Sequence, residues 1–461
     1  MRLILRTLAA LAAVSLLAAG CSRVGSANSS PGSTSSSASA TAAATGNFGS
    51  LSSVCHGGSA SGATDQGVTA SSILLGVLTD VGYSKDTSLE NAATVFTDWC
   101  NAAGGIDGRK LVADIHDTQL MAVTSAMTAA CGKDFVLAGG SAALDGLATQ
   151  TRLQCLLPDF DAQPVMPQNA GSGLELSPYT YNYTYASYAG YYKWLFTKYP
   201  DSAQHVGILS AGTDVTTALA EAGVDTVKSD GGTVVYNGTF PISGMSNWTP
   251  YAEALKAHGV TGLLSYSTPQ WIAPLETALD NIGYKLNWID ADTNSYGTNF
   301  TQLAGNALNE QTNYAELPGI YPVEEAASNP AVEQLVKLYQ KYQPGVSISL
   351  QALQAWSMWL LFADAAETCG SGLTRACVYD AAVKQTAWTG GGITAPVNES
   401  APQGAPSCFN IEQATPNGWV PAKFGANTGP YRCGENVIKL PAGFPASLQL
   451  SSVGKTLSDL K

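Results

Sequence analysis

Residues 99–110 read Trp-Cys-Asn-Ala-Ala-Gly-Gly-Ile-Asp-Gly-Arg-Lys. The stretch is punctuation between two regular elements. A helix ends near Asn101, and the pair Gly104-Gly105 supplies a left-handed exit that a residue with a Cβ resists. Ile106 tucks in as an apolar stop, and Asp107-Gly108 turns the chain into a strand.

Working outward, short apolar strands alternate with amphipathic helices from about residue 70. Strands are predicted at 73–79, 111–116, 134–138, 205–210, 233–236, 262–266 and 286–290. Helices are predicted at 88–102, 121–131, 143–154, 185–199, 214–229, 249–258, 270–282, 329–342 and 350–368. Alternation of this kind implies parallel sheets covered on both faces, an α/β fold. An internal echo points to two such units. Residues 73–80 (ILLGVLTD) open the first, and 205–210 (HVGILS) followed by Thr213-Asp214 open the second. Ligands sit outside the carboxyl ends of parallel strands, so two facing sheets would line a cleft from both sides.

The N-terminus addresses the chain for export. Arg2 and Arg6 precede the apolar run 7–18, which is too short to span a membrane. Ala18-Ala19-Gly20-Cys21 reads as a lipobox, with Ala18 where Leu is usual, so residues 1–20 are a lipoprotein signal peptide and Cys21 the lipidation site. Residues 21–47 are a Ser/Ala/Thr-rich tether of roughly 30 Å mean reach. The later apolar run, 350–368, is broken by Gln351, Gln354, Asp364 and Glu367 and reads as a buried helix. The net charge of −13 with no basic run argues against nucleic acid and against a membrane-coating surface, leaving the lipid as the membrane contact.

Eight cysteines besides Cys21 suggest four disulfides in an oxidising compartment. Their number allows 105 pairings. Placement at helix ends suggests Cys100–Cys131, a short turn suggests Cys369–Cys377, and shared position in the C-terminal extension suggests Cys408–Cys433, which leaves Cys55–Cys155. No C-x-x-C or Cys/His spacing resembles a zinc site, and no metal or cofactor is expected.

The stretch 99–110 resembles the NAAGGINGRK signature of the leucine/isoleucine/valine-binding protein family, type I periplasmic solute-binding proteins of ABC transporters. The surrounding order fits as well: the polar strand end His116-Asp117, a helix, then the strand 134–138 closing in Gly139-Gly140-Ser141. The resemblance covers roughly residues 68–395. It implies two Rossmann-like lobes joined by three crossovers around a central ligand cleft. Lobe one would be 68–183 plus 313–390, and lobe two 184–312 plus 391–461. It also implies a monomer that hands its ligand to ABC permease subunits outside the cytoplasm.

Carried over, the resemblance places Ser141 and Ala142 at the ligand's carboxylate, where the free N–H groups of a helix start would favour an anion. The alternative for Ser141 is a plain cap. Ala162 and Gln163 fall where relatives contact the ligand's α-groups, and Tyr83 where an aromatic covers it. From lobe two come Thr213, Asp214, Ser267, Gln270, Trp271 and Asp292. Amino-acid-binding relatives keep a Glu near the Gln270/Trp271 position, whereas this chain has no acid between Ser265 and Pro274. A buried ammonium without a partner costs several kcal/mol. The expected ligand is therefore not a simple aliphatic amino acid but a carboxylate, amide or polyol, the alternative being that Asp214 or Asp292 replaces the missing Glu from a neighbouring loop.

The tyrosines 179, 181, 183, 185, 188, 191 and 192 alternate over 179–185 like a strand with one aromatic face, and packing is the favoured reading. An enzyme is disfavoured. There is no G-x-S-x-G, no H-E-x-x-H, and Gly454-Lys455-Thr456 lacks the upstream glycine of a phosphate loop. His116 is the one histidine near a strand end that would serve as a base. A ligand-sensing lipoprotein without a dedicated permease is the remaining alternative.

Overall fold

A computed structural model of the chain describes residues 46–461 apart from 407 and 442. The signal peptide and lipidation site expected at residues 1–21 lie outside the described residues. The first sheet is built from β1 (Ser72–Thr79), β2 (Lys110–Asp117), β3 (Val136–Ala138), β4 (Asp159–Phe160) and β5 (Glu175–Leu176). Their order is β2-β1-β3-β4-β5, all parallel. The second sheet contains β6 (Val206–Ala211), β7 (Val234–Phe240), β8 (Gly262–Tyr266), β9 (Trp288–Asp290), β10 (Asn313–Leu317), β11 (Cys408–Thr415) and β12 (Gly418–Pro421), in the order β12-β11-β10-β9-β8-β6-β7. β13 (Arg432–Cys433) pairs with β11. β10 belongs to the second sheet, which therefore extends past the boundary expected at residue 312.

The stretch that opened the reading folds as its residues dictate. The helix Ser88–Ala103 ends on Gly104 at φ 119°. Gly105 donates to Cys100 O, and Ile106 and Arg109 exchange backbone hydrogen bonds across the turn. A Cβ on Gly105 would lie 2.1 Å from Arg109 O, so no other residue fits there. Arg109 is fully buried and bonds the carbonyls of Thr69, Gly370 and Ser371, tying the turn to the end of the helix Leu350–Cys369.

That last helix is buried along most of its length, as expected of a helix inside a large protein. Trp356 and Trp359 pack with Phe96 at ring separations of 5.0 and 5.4 Å, and Trp356 meets Trp99 at 5.7 Å. Among the described residues no helix is long and apolar enough to cross a membrane.

The chain passes between the sheets after β5, again after β10 when the helices Pro330–Tyr342 and Leu350–Cys369 pack beside the first sheet, and a third time to reach β11. The C-terminal stretch then returns. Leu450 and Leu460 pack on Leu153 and Leu174, and Lys461 O accepts from Ala376 N. The extension expected with the second lobe is thus bound to both.

All eight cysteines among the described residues are paired, as Cys55–Cys100, Cys131–Cys155, Cys369–Cys377 and Cys408–Cys433. The last two match expectation; Cys100–Cys131 and Cys55–Cys155 do not form. The physical reason is sheet alternation. Ile73, Leu75 and Val77 of β1 face the cluster holding Cys100, whereas Leu78 and Leu137 face the one beside Cys131. The two helices cover opposite faces of the sheet, beyond the roughly 7 Å Cα separation a disulfide spans.

Two further expectations are corrected. The tyrosines 179–185 form no strand; Tyr179, Tyr181 and Tyr183 pack edge to face at 5.9 and 5.7 Å in irregular chain, and the next helix starts only at Ala189. No helix starts at 143 either, where a turn leads into the 3-10 segment Asp145–Leu147 and the short helix Thr149–Gln154.

Candidate functional site

The carboxyl ends of β3 and β4 meet that of β9 through a chain of polar side chains. Ser141 Oγ donates to Gln163 O at 2.7 Å, and Gln163 Nε2 donates to Asn294 Oδ1 at 2.9 Å, from one sheet's end to the other's. Gln351, in the first turn of the helix Leu350–Cys369, donates to Gln163 Oε1 at 3.2 Å. Tyr83 reaches from the end of β1 to Ile242 O at 3.3 Å, beyond β7. The sheets' carboxyl ends therefore close on each other, with Ser141, Ala142, Ala162 and Gln163 buried.

Asp292 enters this chain by an uncommon backbone. Its φ is 68°, a left-handed value that an L-residue adopts only under constraint. The constraint is visible, since its carboxylate accepts from Asn294 N at 2.9 Å and is bonded by the Ser267 amide. Burial pushes the Asp292 carboxyl up to about 7, against the lowering effect of those amides. The kink aims Asn294 at Gln163. Ser267 itself is buried and shares a 2.8 Å bond with Ser265.

The anion site expected at Ser141 is changed. Asp80 Oδ2 already accepts from Ala143 N at 2.6 Å, and Asp80 Oδ1 accepts from Leu120 N at 3.2 Å. With no helix starting there and one N–H held by the chain's own carboxylate, a ligand carboxylate meets a competitor.

The remaining expected residues lie apart from this polar chain. Thr213 closes a capping box with Thr216 at the start of the helix Asp214–Ser229, and Asp214 is exposed beside it. Gln270 is exposed near the start of the helix Pro269–Asn281. Trp271 packs 6.5 Å from Trp248 and against Gly244, where a Cβ would sit 2.1 Å from its ring. Sequence reasoning missed Asn294, Gln351 and Asp80. Asp80 was within reach of the strand-end rule, whereas Gln351 comes from a helix far along the chain.

The tyrosine-rich hinge forms its own small cavity. Tyr181, Tyr183, Tyr188, Tyr192, Tyr266 and Leu440 help line a space of about 20 Å³, room for about one water. Tyr192 and Tyr266 share a 2.7 Å hydroxyl–hydroxyl bond at its wall. The cluster packs, as expected, and is too tight for a ligand.

Two facing α/β layers that close through strand-end side chains define a two-lobed binding protein. The profile of the family described as periplasmic binding protein matches residues 72–413, and the chain belongs to that family. Among solved structures, the fatty acid ABC transporter substrate-binding protein from Thermomonospora curvata is similar at 18% identity, covering 84% of this chain and 97% of that one with a TM-score of 0.66. A leucine-binding protein from Thermotoga maritima is similar at 14% identity, over 76% and 97% of the two chains, TM-score 0.63. A type 1 periplasmic binding protein from Bordetella pertussis is similar at 14% identity, over 80% and 100%, TM-score 0.58. No curated protein matches the sequence. The family's members bind small ligands outside the cytoplasm and act with ABC permease components rather than as enzymes.

Proposed function

We propose that the chain is the substrate-binding lipoprotein of an ABC importer and that it captures a neutral, hydrogen-bonding molecule, an amide or a polyol. The observation that carries the reading is the Ser141–Gln163–Asn294 chain joining the two sheets' carboxyl ends, with Gln351 beside it. In a ligand-free closed state these amides satisfy one another; a ligand entering the cleft would replace them. Amide side chains both donate and accept, which suits a neutral polar partner.

Two observations weigh against a zwitterion. Asp292 is committed to its own neighbouring amides and is driven toward its neutral form by burial, so it is a poor partner for an ammonium. Asp80 occupies the Ala143 N–H that would receive a carboxylate. The similar proteins named for leucine and for fatty acids bind ligands with that carboxylate. A fatty acid would also need an apolar channel beyond Gln163.

Calorimetry tests the ligand class. Leucine, isoleucine and valine are expected to bind more weakly than millimolar, while a retained neutral ligand is expected in the native mass spectrum and is lost in Ser141→Trp. Micromolar leucine binding, abolished by Ser141→Trp, would sink the ligand class while keeping the site. For the anchor, Cys21→Ser is expected to move the protein from the membrane fraction to the medium, and unchanged membrane retention refutes lipidation at that residue.

A further inference from the structure

Away from the cleft, β2 and the turn before β3 hold a second constellation. Asp114 and His116 are two apart on β2 and so share one face. His116 Nε2 lies 2.6 Å from Asp134 Oδ2 and 3.3 Å from Asp114 Oδ2. The three ligand-type atoms fall within 4.8 Å of one another. The strand between them, β1, contributes Gly76, which pairs with Asp114 on one side and Leu137 on the other. A Cβ at Gly76 would lie 2.5 Å from Asp134 Oδ2, so the gap exists because that residue is glycine.

The cluster is unbalanced as a purely structural one. The Asp134 side chain is 0% exposed, yet its Oδ1 has no hydrogen-bond partner. An orphaned carboxylate oxygen at that depth is costly. Arg375 lies close but bonds the Asp134 carbonyl, at 2.7 Å, as does Gln66, so neither reaches Asp134 Oδ1. Lys133 pairs with Asp114 Oδ2 from a side chain half in solvent, and His116, when protonated, pairs with both carboxylates. Lys133 alone balances one of the two carboxylates, and the second requires either a protonated His116 or, beside a neutral imidazole, a divalent ion.

We propose that Asp114, His116 and Asp134 form a binding site for a divalent transition-metal ion, zinc above others, from which Lys133 is displaced on binding. Nitrogen and oxygen ligands at about 2.0–2.1 Å in a tetrahedron stand about 3.3 Å apart, the separation already present between His116 and Asp114. The 2.6 Å pair must open by less than an ångström. An imidazole ligand disfavours calcium and magnesium, which take oxygen. The site contains no cysteine, which is why Cys/His spacing did not reveal it. Bound metal would pin the edge strand β2 to the turn entering β3.

The test is titration of the purified full chain with zinc chloride, followed by calorimetry and by thermal melting. One ion per chain and a raised melting temperature are expected, with His116→Gln and Asp134→Asn each weakening binding at least 100-fold. Lys133→Ala removes the competing ammonium and is expected to tighten binding several-fold, an effect that a merely adventitious ion on His56, His205 or His258 would not show. Binding unchanged in His116→Gln, or no zinc-dependent stabilisation at all, overturns the proposal. Should His116→Gln or Asp134→Asn fail to fold, the solvent-exposed Lys133→Ala variant decides: affinity equal to or weaker than that of the unaltered chain overturns it.

Discussion

Exchanging Arg152 for methionine is expected to destabilise the protein by roughly 3–5 kcal/mol at pH 8 and by clearly less at pH 5. Arg152 is fully buried, 3.7 Å from Asp159, and donates to Ser172 Oγ at 2.5 Å and to the carbonyls of Leu157 and Gly173. Around it lie four buried acids: Asp145, Asp159, Asp161 and Glu175. Asp145 accepts from the amides of Val165 and Met166, and Asn169 bridges Asp145 and Asp161. Burial pushes Asp145 up to about 7, Asp159 to about 6 and Glu175 to about 8, while the Arg152 charge pulls the last two down. Asp161 is driven well above the ordinary carboxyl range, by burial first and then by its acidic neighbours.

The sign follows from proton binding. These carboxyls titrate near 4 in the unfolded chain and higher when folded, so between those values the folded state holds more protons. Their contribution is fully present below the unfolded pKa and is lost as pH rises through 6 to 8. Removing Arg152 raises the folded values of Asp159 and Glu175 further, so the variant's stability falls more steeply with pH than the parent's. At pH 5 these acids are largely neutral already, and the loss reduces to the guanidinium's hydrogen bonds. Urea unfolding at both pH values, with Arg432→Met as control, measures this. Arg432 holds Glu435 at 3.0 Å near the surface, a pair worth about 1 kcal/mol or less. A deficit for Arg152→Met that is independent of pH, or no larger than the control's, contradicts the account.

Buried acids also explain which strands were legible in the sequence. β1, β6 and β8 are buried apolar runs and were placed within a residue or so of their ends. β10 (NYAEL) and β11 (CFNIEQAT) were not, because Asn313, Glu316, Asn410 and Glu412 interrupt the pattern although all four are buried. Burial pushes Glu412 up to about 9 and Glu316 well above its usual range, so these residues enter the sheet largely as neutral acids that a hydropathy reading scores as charges. β4 and β5 are two residues each and carry no periodicity. The site was half legible for a related reason. Strand ends are visible in sequence, which put Ser141, Gln163 and Asp292 among the candidates. Asn294 depends on the left-handed kink at Asp292, and Gln351 on a helix that folds back from the far side of the chain.

Removing the Cys55–Cys100 disulfide as the double variant Cys55→Ala/Cys100→Ala is expected to cost about 4 kcal/mol, the loop-closure value for a 45-residue separation. The same change at Cys369 and Cys377, only 8 residues apart, is expected to cost about 2.5 kcal/mol on that scale. This disulfide matters for function because of the segment that leads into it, residues 46–56. Phe48 is fully buried, 5.4 Å from Trp356 and 6.0 Å from Trp99. Gln334 clasps the neighbouring backbone, accepting from Gly49 N at 3.0 Å and donating to Asn47 O at 2.8 Å. His56 N donates to Gly105 O at 2.7 Å, and the His56 ring contacts Glu367 at 2.8 Å. The segment therefore docks on the helices Ser88–Ala103, Pro330–Tyr342 and Leu350–Cys369, and the disulfide locks it to the first of them. Under the lipid-anchor proposal, any pull from the membrane enters the body here, beside the first sheet. Without the disulfide, only non-covalent contacts of Phe48, Gln334 and His56 resist that pull, and protease is expected to cut between residues 46 and 60 well before the rest unfolds. Equal losses for the two disulfides, or unchanged cleavage in the 46–60 segment, would show that the docked aromatic contacts hold the segment without the covalent link.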